Sequence, residues 1–486
     1  MNSKQMALSI YNTLSRQKEE FKPLHEGVVG MYVCGPTVYS HSHVGHAKSY
    51  VSFDIIVRYL RFLGFKVLYV QNITDVGHLL DDGEDRMLKQ SKIDKVHPMQ
   101  IAETITQSYF EDMDALGVLR PDISPRATGH IIEQIELVKR LLEKGFAYEV
   151  NGSVYFDVRK YKEYGKLSGR SVEEMLEGTR VETRSEKRTP QDFALWKKAD
   201  AEHIMRWPSP WGEGFPGWHI ECSAMSMKYL GERFDIHGGG LDNQFPHHEC
   251  EIAQSECATG HAFATYWIHN NLVTVNGQKM SKSLGNFVTL KDAFRKFDPL
   301  VLRFFILQSH YRSPLDFSDE ALQGASVGLE KLLNTVRNLR AELARAGTET
   351  RNATASIDLE SFTSRMSASM DDDFNTPQVI AILFDLSREV NTLLNDGSLY
   401  TAASLQAIDH VYREFGGEVL GLIPETIMTG GSSNGAMEGG LIQLLIDIRK
   451  EVRAQKLWGL SDAIRDGLKN IGITLEDKKD GTTWKR

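Results

Sequence analysis

The stretch Val28-Val29-Gly30-Met31-Tyr32-Val33-Cys34-Gly35-Pro36 decides the fold of this chain, because it predicts a buried strand that ends in a tight turn. Residues 44–63 carry apolar side chains at helical spacing, and residues 66–73 predict a second strand. A strand–helix–strand unit of this kind implies a parallel sheet with a right-handed crossover. Ligands bind at the carboxyl ends of such strands, so Cys34 and Thr74 are expected in a binding cleft.

The composition narrows the class of protein. A chain of 486 residues requires about two to four domains. It has no run of about 18 apolar residues and no apolar signal core near its polar N-terminus, so no membrane span and no secretory signal are expected. Four cysteines in so long a chain favour the reducing cytoplasm and free or metal-bound thiols over a disulfide framework. A net charge of -9 argues against general nucleic-acid binding but allows a local basic surface.

Changes in pattern along the chain indicate further units. Residues 146–156 predict a β-hairpin with Asn151-Gly152 at its turn, and this antiparallel excursion indicates an insertion at residues 128–205. Beyond residue 320 the pattern is helical, and residues 346–356 and 429–435 are predicted linkers. The tail from residue 441 has ten Lys and Arg against seven Asp and Glu, which reverses the sign of the whole chain.

The tetrad His43-Val44-Gly45-His46 lies at the start of the first predicted helix. His43 and His46 are three residues apart and share one helix face. The helix N-terminus adds amide donors and a positive dipole end, so together they would bind a phosphate chain and stabilise the charge that develops on it. Gly45 would allow a nucleotide to approach the backbone closely. The alternative interpretation is a pair of histidines that only cap the helix.

A second cationic motif is Lys279-Met280-Ser281-Lys282-Ser283, which Gly277 and Gly285 flank. The glycines predict a loop that can move, and mobile cationic loops that close on phosphates occur in phosphoryl and nucleotidyl transfer. The alternative is a solvated surface loop, the usual location of paired lysines. The presence of both motifs in one chain favours a nucleotide site.

The stretch His247-His248-Glu249-Cys250-Glu251 is a candidate metal site. His247 and Glu251 are four residues apart and can bind one ion from one helix face. Cys34 and Cys222 also fall at element ends near the predicted cleft, and Zn²⁺ accepts sulfur, nitrogen and oxygen ligands together. No C-x-x-C or H-E-x-x-H spacing is present, so from spacing alone His248, Glu249 or Cys250 could equally be ligands.

With these residues in view, the chain closely resembles the bacterial cysteinyl-tRNA synthetase family of class I aminoacyl-tRNA synthetases. The resemblance covers most of the chain, and the cysteine-containing motifs separate it from other class I synthetases. Besides the two cationic motifs, the matching stretches are residues 31–39, Asn72-Ile73-Thr74-Asp75, Ser209-Pro210-Trp211-Gly212, Gly217-Trp218-His219-Ile220-Glu221-Cys222, His237-Gly238-Gly239-Gly240 and Phe245-Pro246-His247-His248-Glu249. The chain departs from the family pattern at Val44, where isoleucine is commoner, and at Cys250, where asparagine is frequent.

The resemblance implies a role for each candidate site residue. One Zn²⁺ per chain would be held by Cys34, Cys222, His247 and Glu251, with a further coordination position for the substrate thiol. The catalytic set would be His43, His46, Lys279 and Lys282, and with Gly45 these would bind ATP. Mg²⁺ would enter with ATP, and no carboxylate is obviously dedicated to it. The cysteine-binding set would be Gly35, Thr74, Trp218 and His237.

The predicted fold is α/β, a class I Rossmann-like catalytic domain with an antiparallel insertion, then a helical bundle and a small C-terminal anticodon-binding domain. The predicted boundaries are 1–127 and 206–275 for the two halves of the catalytic domain, 128–205 for the insertion, 276–345 for the connecting domain with the lysine motif, 357–425 for the DALR-like bundle and 441–486 for the last domain.

The predicted function is that of a cytoplasmic, monomeric cysteine--tRNA ligase whose partners are ATP, L-cysteine and tRNA(Cys). One alternative is a cysteine ligase of low-molecular-weight thiol biosynthesis, which the large C-terminal region of residues 357–486 opposes. Another is a catalytically silent synthetase-like protein that binds RNA, which the intact motifs oppose. In the tail, Trp458 and Trp484 are candidates for stacking on anticodon-loop bases, and the alternative for Trp458 is packing in a small helical core.

Overall fold

The computed structural model of the chain describes residues 7–77, 86–170, 186–280, 285–345, 357–396, 400–427, 433–478 and 481–485. The chain forms two compact units, Met1–Glu425 and Thr426–Arg486, which are described in turn. Among the described helices, none combines the length and the apolar character needed to cross a bilayer.

The first unit is an α/β arrangement followed by helices. Its described strands are β1 Ser9–Asn12, β2 Gln17–Glu20, β3 Val28–Val33, β4 Lys66–Gln71, β5 Ala147–Val150, β6 Ser153–Phe156, β7 Phe193–Lys198, β8 Gly214–Pro216, β9 Phe234–Gly240, β10 Ala264–Asn270, β11 Val273–Val275, β12 Gln278–Lys279 and β13 Leu315–Phe317. Its described α-helices are α1 Val44–Phe62, α2 Arg86–Asp94, α3 Pro98–Ala115, α4 Ile131–Glu143, α5 Trp218–Leu230, α6 Glu249–Thr259, α7 Leu290–Lys296, α8 Pro299–Leu307, α9 Asp319–Arg345, α10 Leu359–Asp371, α11 Thr376–Asn395 and α12 Ala402–Val411.

The central sheet is parallel and has the strand order β10–β9–β3–β4. The predicted strand–helix–strand unit is confirmed as β3, α1 and β4. Val29, Met31 and Tyr32 are completely buried, because both faces of a parallel sheet are covered. Helix α1 ends next to Gly64, whose φ of 90° suits the left-handed position after a helix.

An antiparallel sheet of order β5–β6–β7–β8 lies within the α/β region. The predicted hairpin is confirmed as β5 and β6. Its two turn residues, Asn151 and Gly152, have φ of 52° and 85°, as a tight hairpin turn between twisted strands requires.

The helical region packs on the α/β core through three consecutive carboxylates. Asp371 accepts a hydrogen bond of 2.6 Å from Tyr59 on α1, and Asp372 pairs with Lys18 on β2 at 2.5 Å. Asp373 accepts a hydrogen bond of 2.9 Å from the backbone of Tyr11 on β1. Each carboxylate contacts a different element of the core, so this junction fixes the bundle against the helix that begins with the histidine tetrad.

The second unit contains the helices Ser433–Ala454 (α13) and Trp458–Asn470 (α14) and the antiparallel strands Thr474–Lys478 (β14) and Gly481–Lys485 (β15). Its small core includes Ile442, Ile446, Leu468 and Ile473. The linker prediction for residues 429–435 is wrong for residues 433–435, which begin α13. Residues 429–432, and all of the linker predicted at 346–356, lie outside the described residues. Trp458 is 57% exposed, so it is not a core residue.

Candidate functional site

Four candidate metal ligands come from four different segments around the carboxyl edge of the central sheet. Cys34 directly follows β3, and its backbone N–H donates to Gly238 O on β9 at 3.0 Å. Cys222 lies in α5, His247 lies in a kinked turn, Gln244–His248, and Glu251 lies in the first turn of α6. The sequence separates these residues widely, and the parallel topology brings them together.

The four side chains form one buried cluster. The Sγ atoms of Cys34 and Cys222 are 3.9 Å apart, and Cys34 Sγ lies 3.6 Å from Glu251 Oε1. His247 Nε2 is 3.0 Å from the same Oε1, and all four donor atoms lie within 4.8 Å of one another. Four ligands about 2.0–2.3 Å from one ion lie roughly 3.3–3.8 Å apart in a tetrahedron, so this donor set fits a single ion.

Among the described residues a second possible ligand group shares two members with the first, and it consists of Cys34, His237, His248 and Glu251. The carboxylate of Glu251 distinguishes the groups. Its Oε1 atom faces Cys34 and His247, whereas His237 Nε2 contacts Oε2 at 2.8 Å. His237 is therefore placed to orient a ligand from behind, as the outer partners of metal ligands do.

Further imidazoles support the cluster from outside. His219 Nδ1 is 2.8 Å from His247 Nδ1, and His248 Nδ1 is 2.8 Å from His269 Nε2. The ring of His237 stacks on Trp267 with centroids 4.4 Å apart. Sequence reasoning gave His219, Trp267 and His269 no role; His219 stands within a motif already quoted, whereas nothing in the sequence singles out the two residues of β10.

Opposite charges in the cluster stabilise one another. Burial raises the pKa of the Cys222 thiol, but its hydrogen bond with Cys34 and the charge of His247 lower it to about 6. Burial lowers the pKa of His247, but Glu251 and Cys222 raise it to about 10. Burial raises the pKa of Glu251, whereas His237 and His247 lower it to about 2. The cluster thus holds a thiolate, a carboxylate and an imidazolium proton that a divalent cation would displace.

Cys250 belongs to neither ligand group. Its Sγ atom is 3.3 Å from the hydroxyl of Tyr164, within a hydrophobic cluster that includes Phe193. Burial raises the pKa of the Cys250 thiol, which favours the neutral form. His248, by contrast, lies 3.2 Å from Cys34 Sγ through Nε2.

Two of the predicted cysteine-binding residues share a hydrogen-bonded support. Asn72 Oδ1 accepts from the backbone N–H of Gly35 at 2.8 Å, and Asn72 Nδ2 donates to Thr74 Oγ1 at 3.1 Å. A Cβ atom at Gly35 would lie 1.6 Å from Asn72 O, so glycine is required there. Because the N–H of Gly35 is engaged by Asn72, a backbone contact with a substrate would use its carbonyl.

The other two predicted cysteine-binding residues lie directly at the cluster. Trp218 begins α5, and the centroid of its ring is 4.6 Å from that of His247. His237 is completely buried beside Glu251. A small thiol at the cluster would therefore meet an aromatic wall at Trp218.

The histidine tetrad both caps its helix and presents donors. The backbone N–H of Gly45 donates to His43 Nδ1 at 3.1 Å, and that of His43 donates to His46 Nδ1 at 3.2 Å. Because each Nδ1 accepts, each neutral ring carries its proton on Nε2, the atom that can donate to a phosphate oxygen. Burial lowers the pKa of His46 well below its usual value, and His43 adds to this effect. Helix capping and phosphate binding, which the sequence offers as alternatives for this histidine pair, are compatible in this geometry.

The lysine motif is brought to the histidine tetrad by the backbone. Thr289 forms a β-bridge with His43, and Leu290 N donates to Ser42 O at 2.9 Å. A Cβ atom at Gly45 would lie 3.7 Å from the terminal methyl of Met280, so the two motifs are close neighbours in space. The backbone of Lys279 lies in β12, while Lys282 and the side chain of Lys279 lie outside the described residues.

The chain matches the family described as tRNA synthetases class I (C) catalytic domain over residues 20–327, and the DALR domain over residues 365–424. Among solved structures, Mycobacterium tuberculosis methionyl-tRNA synthetase in complex with methionyl-adenylate has a TM-score of 0.61 at 15% identity. That comparison covers 82% of this chain and 92% of the other, and it is a likeness of fold.

Two relatives extend the match to the full length. The proteins named Cysteine--tRNA ligase from Chlorobaculum tepidum and Deinococcus radiodurans are 54% and 52% identical to this chain. Both alignments cover 99% of this chain, with 99% and 97% of the respective relatives. The chain belongs to the cysteine--tRNA ligase family of class I tRNA synthetases.

Proposed function

We propose that this chain activates L-cysteine with ATP and transfers it to the 3′-terminal ribose of tRNA(Cys). The observation that carries the proposal is the buried thiol, imidazole and carboxylate cluster at the same sheet edge that leads into the histidine tetrad. It stands in a chain more than half identical, over nearly its whole length, to relatives named Cysteine--tRNA ligase.

We propose that Cys34, Cys222, His247 and Glu251 hold Zn²⁺, one ion per chain. Two sulfur donors with a nitrogen and an oxygen suit this ion better than Mg²⁺ or Ca²⁺. When bound, the ion supplies a position that takes a thiol as thiolate, whereas a serine hydroxyl stays neutral and is a poor ligand. The residues of the chain then fix the ligand geometry: His237 orients Glu251 and His219 orients His247.

In the nucleotide half of the site, the substrate carboxylate attacks the α-phosphate of ATP. A new oxygen–phosphorus bond forms, which makes the mixed anhydride of the adenylate, as the α–β phosphoanhydride bond breaks and pyrophosphate leaves. No side chain therefore acts as a covalent nucleophile. The Nε2–H groups of His43 and His46 and the amides at the start of α1 donate to the phosphate oxygens. Lys279 and Lys282 are assigned to the same oxygens, together with Mg²⁺ that enters with ATP.

For the transfer step, we assign RNA binding to the helical bundle of residues 357–425 and the C-terminal unit. The exposed rings of Trp458 and Trp484 can stack on unpaired bases. We keep the remaining boundaries as proposals: 1–127 and 206–275 for the catalytic halves, 128–205 for the insertion, 276–345 for the connecting domain and 441–486 for the anticodon-binding domain. A monomeric state and a cytoplasmic location also remain predictions.

The alternatives find less support. A ligase that makes small thiols needs no tRNA-reading region, yet the relatives match through the C-terminal unit. A silent RNA-binding protein needs neither the buried cluster nor the capped histidine pair.

The decisive experiment is ATP–pyrophosphate exchange with cysteine and with serine, together with metal analysis of the purified protein and charging of tRNA(Cys). We expect exchange with cysteine to be preferred over exchange with serine by about 10⁴-fold. A site built around a bond to the substrate thiol rejects serine, which lacks that thiol. We also expect about one zinc per chain, from the four-ligand donor set. Absence of exchange despite bound zinc would support the silent alternative, and exchange without charging would support the small-thiol ligase.

A further inference from the structure

The lysine motif begins in a tight hairpin rather than in an open loop. Strands β11 and β12 pair antiparallel with Thr274 opposite Lys279 and Val275 opposite Gln278. The two residues between them, Asn276 and Gly277, have φ of 50° and 75°. Both values lie in the left-handed region, as a two-residue type I′ turn requires. The backbone of Lys279 is therefore set by this hairpin.

One carboxylate outside the hairpin contacts its first strand and its turn. Asp316 Oδ1 accepts a hydrogen bond of 2.6 Å from Thr274 Oγ1 and one of 2.7 Å from the backbone N–H of Gly277. These two hydrogen bonds hold the pKa of Asp316 below its usual value, so the group is ionised at neutral pH. Charge-assisted hydrogen bonds of this kind are stronger than neutral ones.

The strand that carries Asp316 is firmly held. Strand β13 pairs parallel with β11, and its flanking residues Leu315 and Phe317 are buried. Phe317 packs edge-on against Phe305 of α8, with centroids 6.3 Å apart. Its carbonyl also accepts from Asn276 N at 3.2 Å. Asp316 thus projects from a fixed strand onto a hairpin that would be marginally stable alone.

We propose that Asp316 is a positioning residue for adenylate formation, and that it acts by fixing the backbone of Lys279 beside the histidine tetrad. The terminal methyl of the next residue, Met280, lies 3.7 Å from where a Cβ atom on Gly45 of that tetrad would be, so a shift of the hairpin moves the lysine relative to the tetrad and the phosphates. This inference rests on the proposed function.

The test compares three variants in ATP–pyrophosphate exchange. We expect Asp316→Ala to lower kcat about tenfold, the size expected for losing hydrogen bonds to a charged group. The KM for cysteine stays unchanged because the thiol site is elsewhere. Asp316→Asn keeps the accepting oxygen and should restore most of kcat. The matched control is Asp319→Ala, which removes an exposed aspartate paired with Lys296 at 2.8 Å and should leave kcat unchanged.

A double-mutant cycle separates positioning from a merely structural role. If Asp316 acts through Lys279, Asp316→Ala should cost less than about twofold once Lys279→Ala is present. Additive losses, equal effects of Asp316→Ala and Asp319→Ala, or failure of Asp316→Asn to restore kcat would overturn the inference. Circular dichroism melting confirms that each variant is folded. Absence of exchange in the wild-type enzyme would instead overturn the proposed function, and the inference with it.

Discussion

The candidate metal cluster and the candidate nucleotide motifs lie at one edge of one sheet but are constructed in opposite ways. Cys34, Cys222, His247 and Glu251 are buried, and each donor contacts other side chains of the cluster. The histidine tetrad is half-buried, and its geometry comes from backbone devices: a helix cap, a β-bridge and a hairpin turn.

The difference matches the two substrates. Discrimination between a thiol and a hydroxyl requires donors fixed in a dry environment, where packing prevents them from adapting. A triphosphate is large and strongly charged, and it must enter and leave the site. Its site therefore lies near solvent, and the backbone fixes the orientation of the donor groups. The two halves should therefore respond separately to mutation.

The largest effect is expected from Cys222→Ser. Loss of one sulfur donor should weaken Zn²⁺ binding by more than about 100-fold, since even loss of an outer partner costs 10–100-fold. The roughly 10⁴-fold preference for cysteine over serine should largely disappear with it. Metal content by mass spectrometry and exchange with both amino acids measure the two losses.

The matched control for this change is Cys250→Ser. It replaces another buried cysteine, whose sulfur contacts Tyr164 and which belongs to neither candidate ligand group of the described residues. Zinc content and selectivity should stay at the wild-type level. Loss of zinc in this control would show that Cys250 is a ligand and that the four-residue assignment is wrong.

His43→Asn tests whether the nucleotide half is separable. Asparagine is a good N-cap, so the start of α1 should stay formed, but the Nε2–H donor is lost. We expect kcat of exchange to fall about 100-fold, the typical cost of removing one donor to developing charge. Zinc content and the choice of cysteine over serine should be unchanged. A parallel loss of zinc would contradict the independence of the two halves.

The sequence predicted local features better than their surroundings. Apolar period and the Asn151-Gly152 turn predicted β3, α1, β4 and the β5–β6 hairpin, because each is determined by neighbouring residues. Asn276-Gly277 carries the same turn signal, but glycines that flank two lysines also suit a mobile loop, so the motif alone does not distinguish a hairpin from a loop.

The supporting shell could not be predicted, because it forms only across elements. Trp267 and His269 lie on β10 and reach the cluster because β10 pairs with β9, which carries His237. Asp316 likewise meets the lysine hairpin through the pairing of β13 with β11. No spacing within one segment encodes such contacts, whereas the ligands themselves could be named from the family resemblance.

The smallest effect on activity is expected from a change at the buried ion pair of Arg303 with Asp54, which supports helix α1 behind the histidine tetrad. Arg303 and Asp54 are completely buried, and Arg303 Nη2 lies 2.5 Å from Asp54 Oδ2 on α1. Arg303 Nε also donates to Leu420 O at 2.8 Å, so one guanidinium joins the histidine helix to the end of the helical bundle. This ion pair lies further along α1 than the tetrad, and it supports the position of the tetrad without contacting a substrate.

Arg303→Met should lower the free energy of unfolding by about 3 kcal/mol, because it removes one of the two arginine partners of a buried carboxylate. The loss falls at the low end of that range since Asp54 keeps a hydrogen bond of 2.8 Å from Arg58. The control, Arg140→Met, breaks the exposed pair with Glu232 and should cost less than about 1 kcal/mol. Urea unfolding followed by tryptophan fluorescence measures both. The folded Arg303→Met variant should keep kcat within about twofold of the wild-type value. A loss of kcat as large as that of His43→Asn would mean that the buried ion pair, and not the backbone cap, fixes the position of the histidine tetrad.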